Sequence, residues 1–227
     1  MTDKKYVPKI FLFIFLLVSI IDILAILNSN SLWQTIAKPL IIPALLAYYI
    51  SRSKSRNKFY ILALIFSFIG DVLLLDKSHM FLFGIGAFLI TQVLYIYIFS
   101  KGLKESPKNK MILAFLPFMV FFMLLIAVLK PGLKDFFVPV VIYGAAISVF
   151  GSISLLKYLV KKDSVNLKLC IGAAIFIVSD SLIALHKFHE PRSIYPVAIM
   201  LTYMIAQYLI AVFMLESEKR SIQKGNA

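Results

Sequence analysis

The stretch "LIFSFIGDVLLL", Leu64–Leu75, sets one carboxylate, Asp71, inside a nearly unbroken apolar run. Leucine and phenylalanine on both sides suit lipid, yet an aspartate at the centre of a membrane helix costs roughly 2.5 to 3.5 kcal/mol even on a lenient insertion scale. The rest of the chain decides for the membrane. Of 227 residues, 61% are hydrophobic and 15% charged, with a mean hydropathy of +0.91, which is too apolar to clothe a soluble core in polar surface.

A spanning helix needs about 20 mostly apolar residues, because in hydrocarbon every backbone N–H and C=O must be satisfied within the segment. Eight runs meet that need: Lys9–Leu27, Leu32–Ile50, Phe59–Leu75, Met80–Phe99, Met111–Leu129, Phe136–Tyr158, Leu167–Lys187 and Ile194–Leu215. Their connections are short, so the expectation is an all-α polytopic membrane bundle of eight transmembrane helices, a single integral membrane domain over residues 1–227. The first run follows Lys4, Lys5 and Lys9 and has a long apolar core with no small-residue cleavage pattern after it, so it reads as a retained helix. Cys170 is the single cysteine, and no intramolecular disulfide can form.

The net charge of +13 invites a nucleic-acid reading that its placement excludes. Most of the 24 Lys and Arg residues sit before the first run, in "SRSKSRNK", in "KGLKESPKNK", between runs six and seven, and in the tail. The opposite loops hold Lys77, Lys130, Lys134, Lys187 and Arg192, while Lys38 lies within a helix. That alternation follows the positive-inside rule and puts both termini in the cytoplasm; the basic loops also suit anionic lipid headgroups. In a bacterium the membrane is the plasma (inner) membrane.

An internal duplication emerges on self-alignment. "FSFIGDVLLL" overlays "FIVSDSLIAL", bringing Asp71 onto Asp180, and "ITQVLY" overlays "IAQYLI", bringing Gln92 onto Gln207. A weaker echo sets Pro39 opposite Pro139. The chain reads as two four-helix repeats, residues 9–99 and 111–215; because four is even, the copies enter the membrane in the same direction.

Topology turns residue number into depth at about 1.5 Å per residue. Asp71, Asp180 and Asp22 fall in the outer half of the hydrocarbon, where Lys38 meets them and Tyr143 enters from the sixth helix. Tyr203 and Gln207 share one face of the eighth helix near the middle, with Gln92 slightly deeper. Such groups avoid lipid and gather in a polar cavity. The bland alternative is interhelical glue, worth about 0.6 kcal/mol per contact. That reading is preferred for Asp22, and a functional one for the repeated Asp71 and Asp180. Two carboxylates close together in a low-dielectric site share a proton and so supply one acid and one base.

Five blocks, "AKPLIIPALL", "FSFIGDVLLL", "FLFGIGAFLITQVLY", "GAAIFIVSDSLIAL" and "TYMIAQYLIA", resemble in order and spacing the YhhN-like membrane proteins, the family that includes the lysoplasmalogenases. The resemblance implies hydrolysis of the vinyl ether bond of a lysoplasmalogen, releasing a fatty aldehyde and a glycerophospho-alcohol. By motif, Asp71 and Asp180 match the two aspartates regarded as catalytic in that family. The fourth-helix block often carries a histidine where this chain has Gln92. On this reading the partners are a lysophospholipid and membrane lipid, with Lys38 pairing with phosphate and Gln92, Tyr143, Tyr203 and Gln207 positioning water or glycerol hydroxyls. The chemistry requires neither metal nor other cofactor.

Three other readings compete. A proton-coupled transporter also combines repeats with midplane carboxylates. "IGD" suggests an intramembrane aspartyl protease, but Phe68 stands where that signature needs glycine. Asp76 with His79, and His186-x-x-His189 with Glu190, offer metal-ligand types in two outer loops.

Overall fold

The computed structural model describes residues 6–76 and 79–225; Lys4, Lys5 and Lys77 lie outside the described residues. The elements are α1 (Val7–Leu27), α2 (Ser31–Arg52), α3 (Lys58–Leu73), α4 (Phe81–Ser100), α5 (Lys108–Leu133), α6 (Phe137–Val160), α7 (Ser164–Phe188) and α8 (Tyr195–Gly225). A 3-10 turn, Lys134–Phe136, joins α5 to α6, and there is no strand among the described residues.

Helices begin where a polar cap precedes an apolar run. Asn30 Oδ1 accepts from the Trp33 amide at 3.2 Å, Asn57 Oδ1 from Tyr60 at 3.1 Å, and Asp163 Oδ1 from Val165 and Asn166 at 3.1 and 2.9 Å. Pro8 occupies the first turn of α1, where its missing N–H is no loss. Pro39 and Pro43 lie inside α2, and Pro117 and Pro131 inside α5. Prolines are tolerated in lipid where neighbouring groups satisfy the freed carbonyls.

The outward faces are inverted relative to a water-soluble protein. On α1, Ile10, Phe13, Leu16, Leu17, Ile20 and Leu24 are exposed; on α5, buried side chains are confined to Ala114, Leu129 and Leu133. Continuous apolar surface of that kind drives association in water and is at home in hydrocarbon. Among the described residues, five stretches are long and apolar enough to cross a membrane: Val7–Leu27, Phe81–Ser100, Lys108–Val160, Ser164–Phe188 and Tyr195–Gln223. The third comprises α5 and α6 together. α3 falls short with its 16 residues, and α2 carries Gln34, Lys38 and Arg52.

The chain forms two compact units, Met1–Thr91 with Ile210–Ala227, and Gln92–Leu209. The divisions fall inside α4 and α8, not at the loop between the two repeats read from the sequence.

In the first unit α1 packs along α2 and α2 along α3, burying Phe15, Val18 and Ala25 with Ala37, Ile41 and Leu45. A Cβ on Gly70 would lie 2.6 Å from the Phe88 ring, so α3 and α4 approach closely beside Asp71. Thr91 Oγ1 donates to the Ala63 carbonyl at 3.1 Å across the same contact. Towards the chain end, the Glu218 carboxylate accepts from Ser53 Oγ at 2.6 Å and from the Lys54 and Ser55 amides, tying the end of α8 to the loop after α2.

In the second unit α6 packs against α5 and α7. Leu129, Leu133 and Val140 anchor a cluster completed by Phe136, Leu185 and Phe188. Gly132 is obligatory there, because an added Cβ would stand 1.8 Å from the Phe188 carbonyl oxygen.

Candidate active site

Each unit buries polar groups in its own apolar helices. Asp71, in the last turn of α3, is 3% exposed. Its neighbour Gly70 supplies the room for Phe88 that fixes this turn against α4. Asp22, on the buried face of α1, is fully enclosed, and Lys38 of α2, half-buried, acts on it electrostatically. At Asp22 neither carboxylate oxygen has a hydrogen-bond partner among the described residues. Coulombic attraction to an ammonium is what remains to offset its desolvation.

In the second unit Asp180, half-buried on α7, accepts a hydrogen bond on Oδ2 from the Tyr143 hydroxyl of α6. Gln92 of α4 is fully buried and acts on that hydroxyl, yet neither of its amide atoms has a partner of hydrogen-bond geometry among the described residues. A second polar set is internally satisfied: Tyr95 donates to Gln207 Oε1 at 2.9 Å, and Gln207 Nε2 donates to the Tyr203 hydroxyl at 3.3 Å. Tyr203 also stands edge-on to Phe176, with ring centroids 5.7 Å apart. Gln207 and Tyr203 therefore hold helices together, whereas Gln92 meets the Tyr143 hydroxyl only loosely.

Of the residues singled out from the sequence, the structure brings together Gln92, Tyr143 and Asp180, and separately Tyr203 and Gln207. Lys38 and Asp71 belong to the first unit and Asp180 to the second. Tyr95 was missed by sequence reasoning although it ends the quoted "ITQVLY"; three residues after Gln92, it lies on the same side of α4.

Loop residues with metal-ligand side chains make ordinary surface pairs. His79 Nδ1 lies 3.5 Å from Asp76 Oδ2, and Glu190 Oε2 accepts from Arg192 at 2.8 Å. The Arg192 guanidinium, hydrogen-bonded and opposite in charge, holds the Glu190 carboxyl below its usual range. Among the described residues no three of His, Cys, Asp and Glu gather as a metal ion would require.

Apolar helices with exposed greasy faces, interrupted by enclosed carboxylates, amides and phenols, define a helical integral membrane protein. The YhhN family model matches residues 33–214, and the chain belongs to that family. No curated protein and no solved structure matches it.

Proposed function

We propose that this protein is a membrane-embedded lipid hydrolase of the lysoplasmalogenase type, cleaving the vinyl ether bond of a lysoplasmalogen to a fatty aldehyde and a glycerophospho-alcohol. The observation that carries the reading is membership of the YhhN family over residues 33–214, a span that contains both motif aspartates. The burial of Asp71 and the tyrosine bound to Asp180 support it, because a carboxylate inside an apolar membrane helix is costly to keep and by default marks a functional position.

Vinyl ether hydrolysis begins with protonation of the terminal carbon, which yields an oxocarbenium ion. Water then adds, and the hemiacetal collapses to aldehyde and alcohol. The reaction needs an acid, a negative charge near the cation, and an oriented water. Asp71 and Asp180 divide those roles in this reading, as paired carboxylates do in glycoside hydrolysis. Lys38 pairs with the lipid phosphate, and Tyr143 orients Asp180. The reading includes eight crossings with both ends in the cytoplasm and a descent from two four-helix repeats. A carrier would draw support from helices broken at the repeat centres, but α2 is helical from Ser31 to Arg52 across Pro39 and Pro43.

Purified protein incubated with a lysoplasmalogen and with an ester lysophospholipid of equal chain length tests this directly. Aldehyde is expected from the first, lost by at least about 100-fold in Asp71→Asn and in Asp180→Asn. Folded wild-type protein that binds the lipid and releases neither aldehyde nor fatty acid would defeat the assignment.

A further inference from the structure

The second unit contains a contrast between two residues that the sequence aligns. Gln207 spends its amide on Tyr95 and Tyr203. Gln92, which the sequence aligns with it, is 0% exposed and meets the Tyr143 hydroxyl, itself bound to Asp180, only loosely: neither of its amide atoms has a partner of full hydrogen-bond geometry among the described residues. A buried amide left poorly met costs about 1–3 kcal/mol per group, so a side chain whose donor is met only loosely and whose acceptor is unmet suits a ligand that can accept from the one and donate to the other. A hydroxyl compound or water has that character, and the enclosure of Gln92 selects a small one. Buried water is retained where two to four polar groups can reach it, and the groups linked here are the Gln92 amide, the Tyr143 hydroxyl and the Asp180 carboxylate.

We infer that Gln92, Tyr143 and Asp180 hold the water that is split, with Gln92 as a positioning residue and Asp180 as the base. The inference rests on the lipid-hydrolase reading and deepens it. The water oxygen bonds to the oxocarbenium carbon while one of its protons passes to Asp180. Asp180 then returns that proton to the glycerol oxygen as its bond to the same carbon breaks. The hemiacetal hydroxyl releases its own proton to the carboxylate that protonated the alkene, so both acids are restored and the sum is one water consumed.

The test uses the full chain in detergent with two substitutions: Gln92→Leu, which removes donor and acceptor, and Gln92→His, whose neutral imidazole keeps one of each. Substrates are a lysoplasmalogen and its analogue with the free glycerol hydroxyl methylated. Gln92→Leu is expected to lower kcat about 100-fold with little change in KM, by the same factor on both substrates, and Gln92→His to recover most of it. Unchanged kcat in folded Gln92→Leu overturns the inference. So does a penalty that disappears on the methylated analogue, since Gln92 would then read the lipid hydroxyl and not the water. An experimental structure resolving ordered water checks the site without turnover. A peak within hydrogen-bond reach of Gln92 and Asp180 sustains the site even where no lipid is cleaved, which would defeat the lipid reading alone. The lack of such a peak removes the inference and leaves the lipid reading standing.

Discussion

Asp22 shows what an individual residue contributes here. It is fully buried on α1, neither oxygen has a hydrogen-bond partner among the described residues, and the charge of Lys38 acts on it favourably. Removing one member of a buried pair leaves an uncompensated charge, whereas replacing both with apolar residues is often neutral. Asp22→Leu is therefore expected to lower stability by about 1–3 kcal/mol, discounted towards the lower end because Lys38 is half-buried. Asp22→Leu/Lys38→Met should recover most of that loss. A double-mutant cycle of unfolding in detergent measures the coupling, and additive losses would show that the two side chains do not compensate each other.

Helix contacts in this protein are governed at several places by the absence of a side chain. Gly132 has the Phe188 carbonyl 1.8 Å from where its Cβ would stand, a rigid backbone neighbour that cannot step aside. Gly132→Ala must push α5 away from the end of α7, and its expected cost is about 1–3 kcal/mol with loss of packing around Leu133. Gly86, on α4, has nothing within 4 Å of its would-be Cβ. Gly86→Ala should therefore be neutral or stabilising by up to about 1 kcal/mol, from helix propensity alone. Thermal unfolding of both variants in the same detergent is the comparison, and equal midpoints would contradict the packing argument. The two glycines look alike in sequence, both sitting in apolar runs; only the neighbouring helix separates them.

For the whole molecule, the orientation in the membrane is the property to establish. The proposed topology puts Ser55 and Lys104 in the cytoplasm and Asp135 and Arg192 outside, and all four positions are exposed. In a Cys170→Ala background, single cysteines at Asp135 and Arg192 should react with an impermeant maleimide applied to intact cells. Cysteines at Ser55 and Lys104 should react only after the membrane is opened. The reverse pattern would invert the topology, and mixed labelling would change the number of crossings.

The all-helical membrane class follows from the sequence by itself, since long apolar runs in lipid have no other way to satisfy their backbone, and polar caps such as Asn30, Asn57 and Asp163 mark where helices start. The motif aspartates and family were legible for a similar reason: a charge inside an apolar run stands out, and five ordered blocks carry the likeness. Which polar groups meet was a matter for the tertiary structure. A helix that is apolar nearly all round has no amphipathic stripe to announce its inward face, so its rotation is set by packing against neighbours. That rotation, in one unit, spends Gln207 on Tyr95 and Tyr203 while leaving the amide of Gln92 only loosely met by Tyr143. In the other it encloses Asp22 with no hydrogen bond to its carboxylate among the described residues. Burial in lipid is a property of the segment and can be read along the chain, whereas hydrogen bonding is a property of pairs of segments and exists only once they have docked.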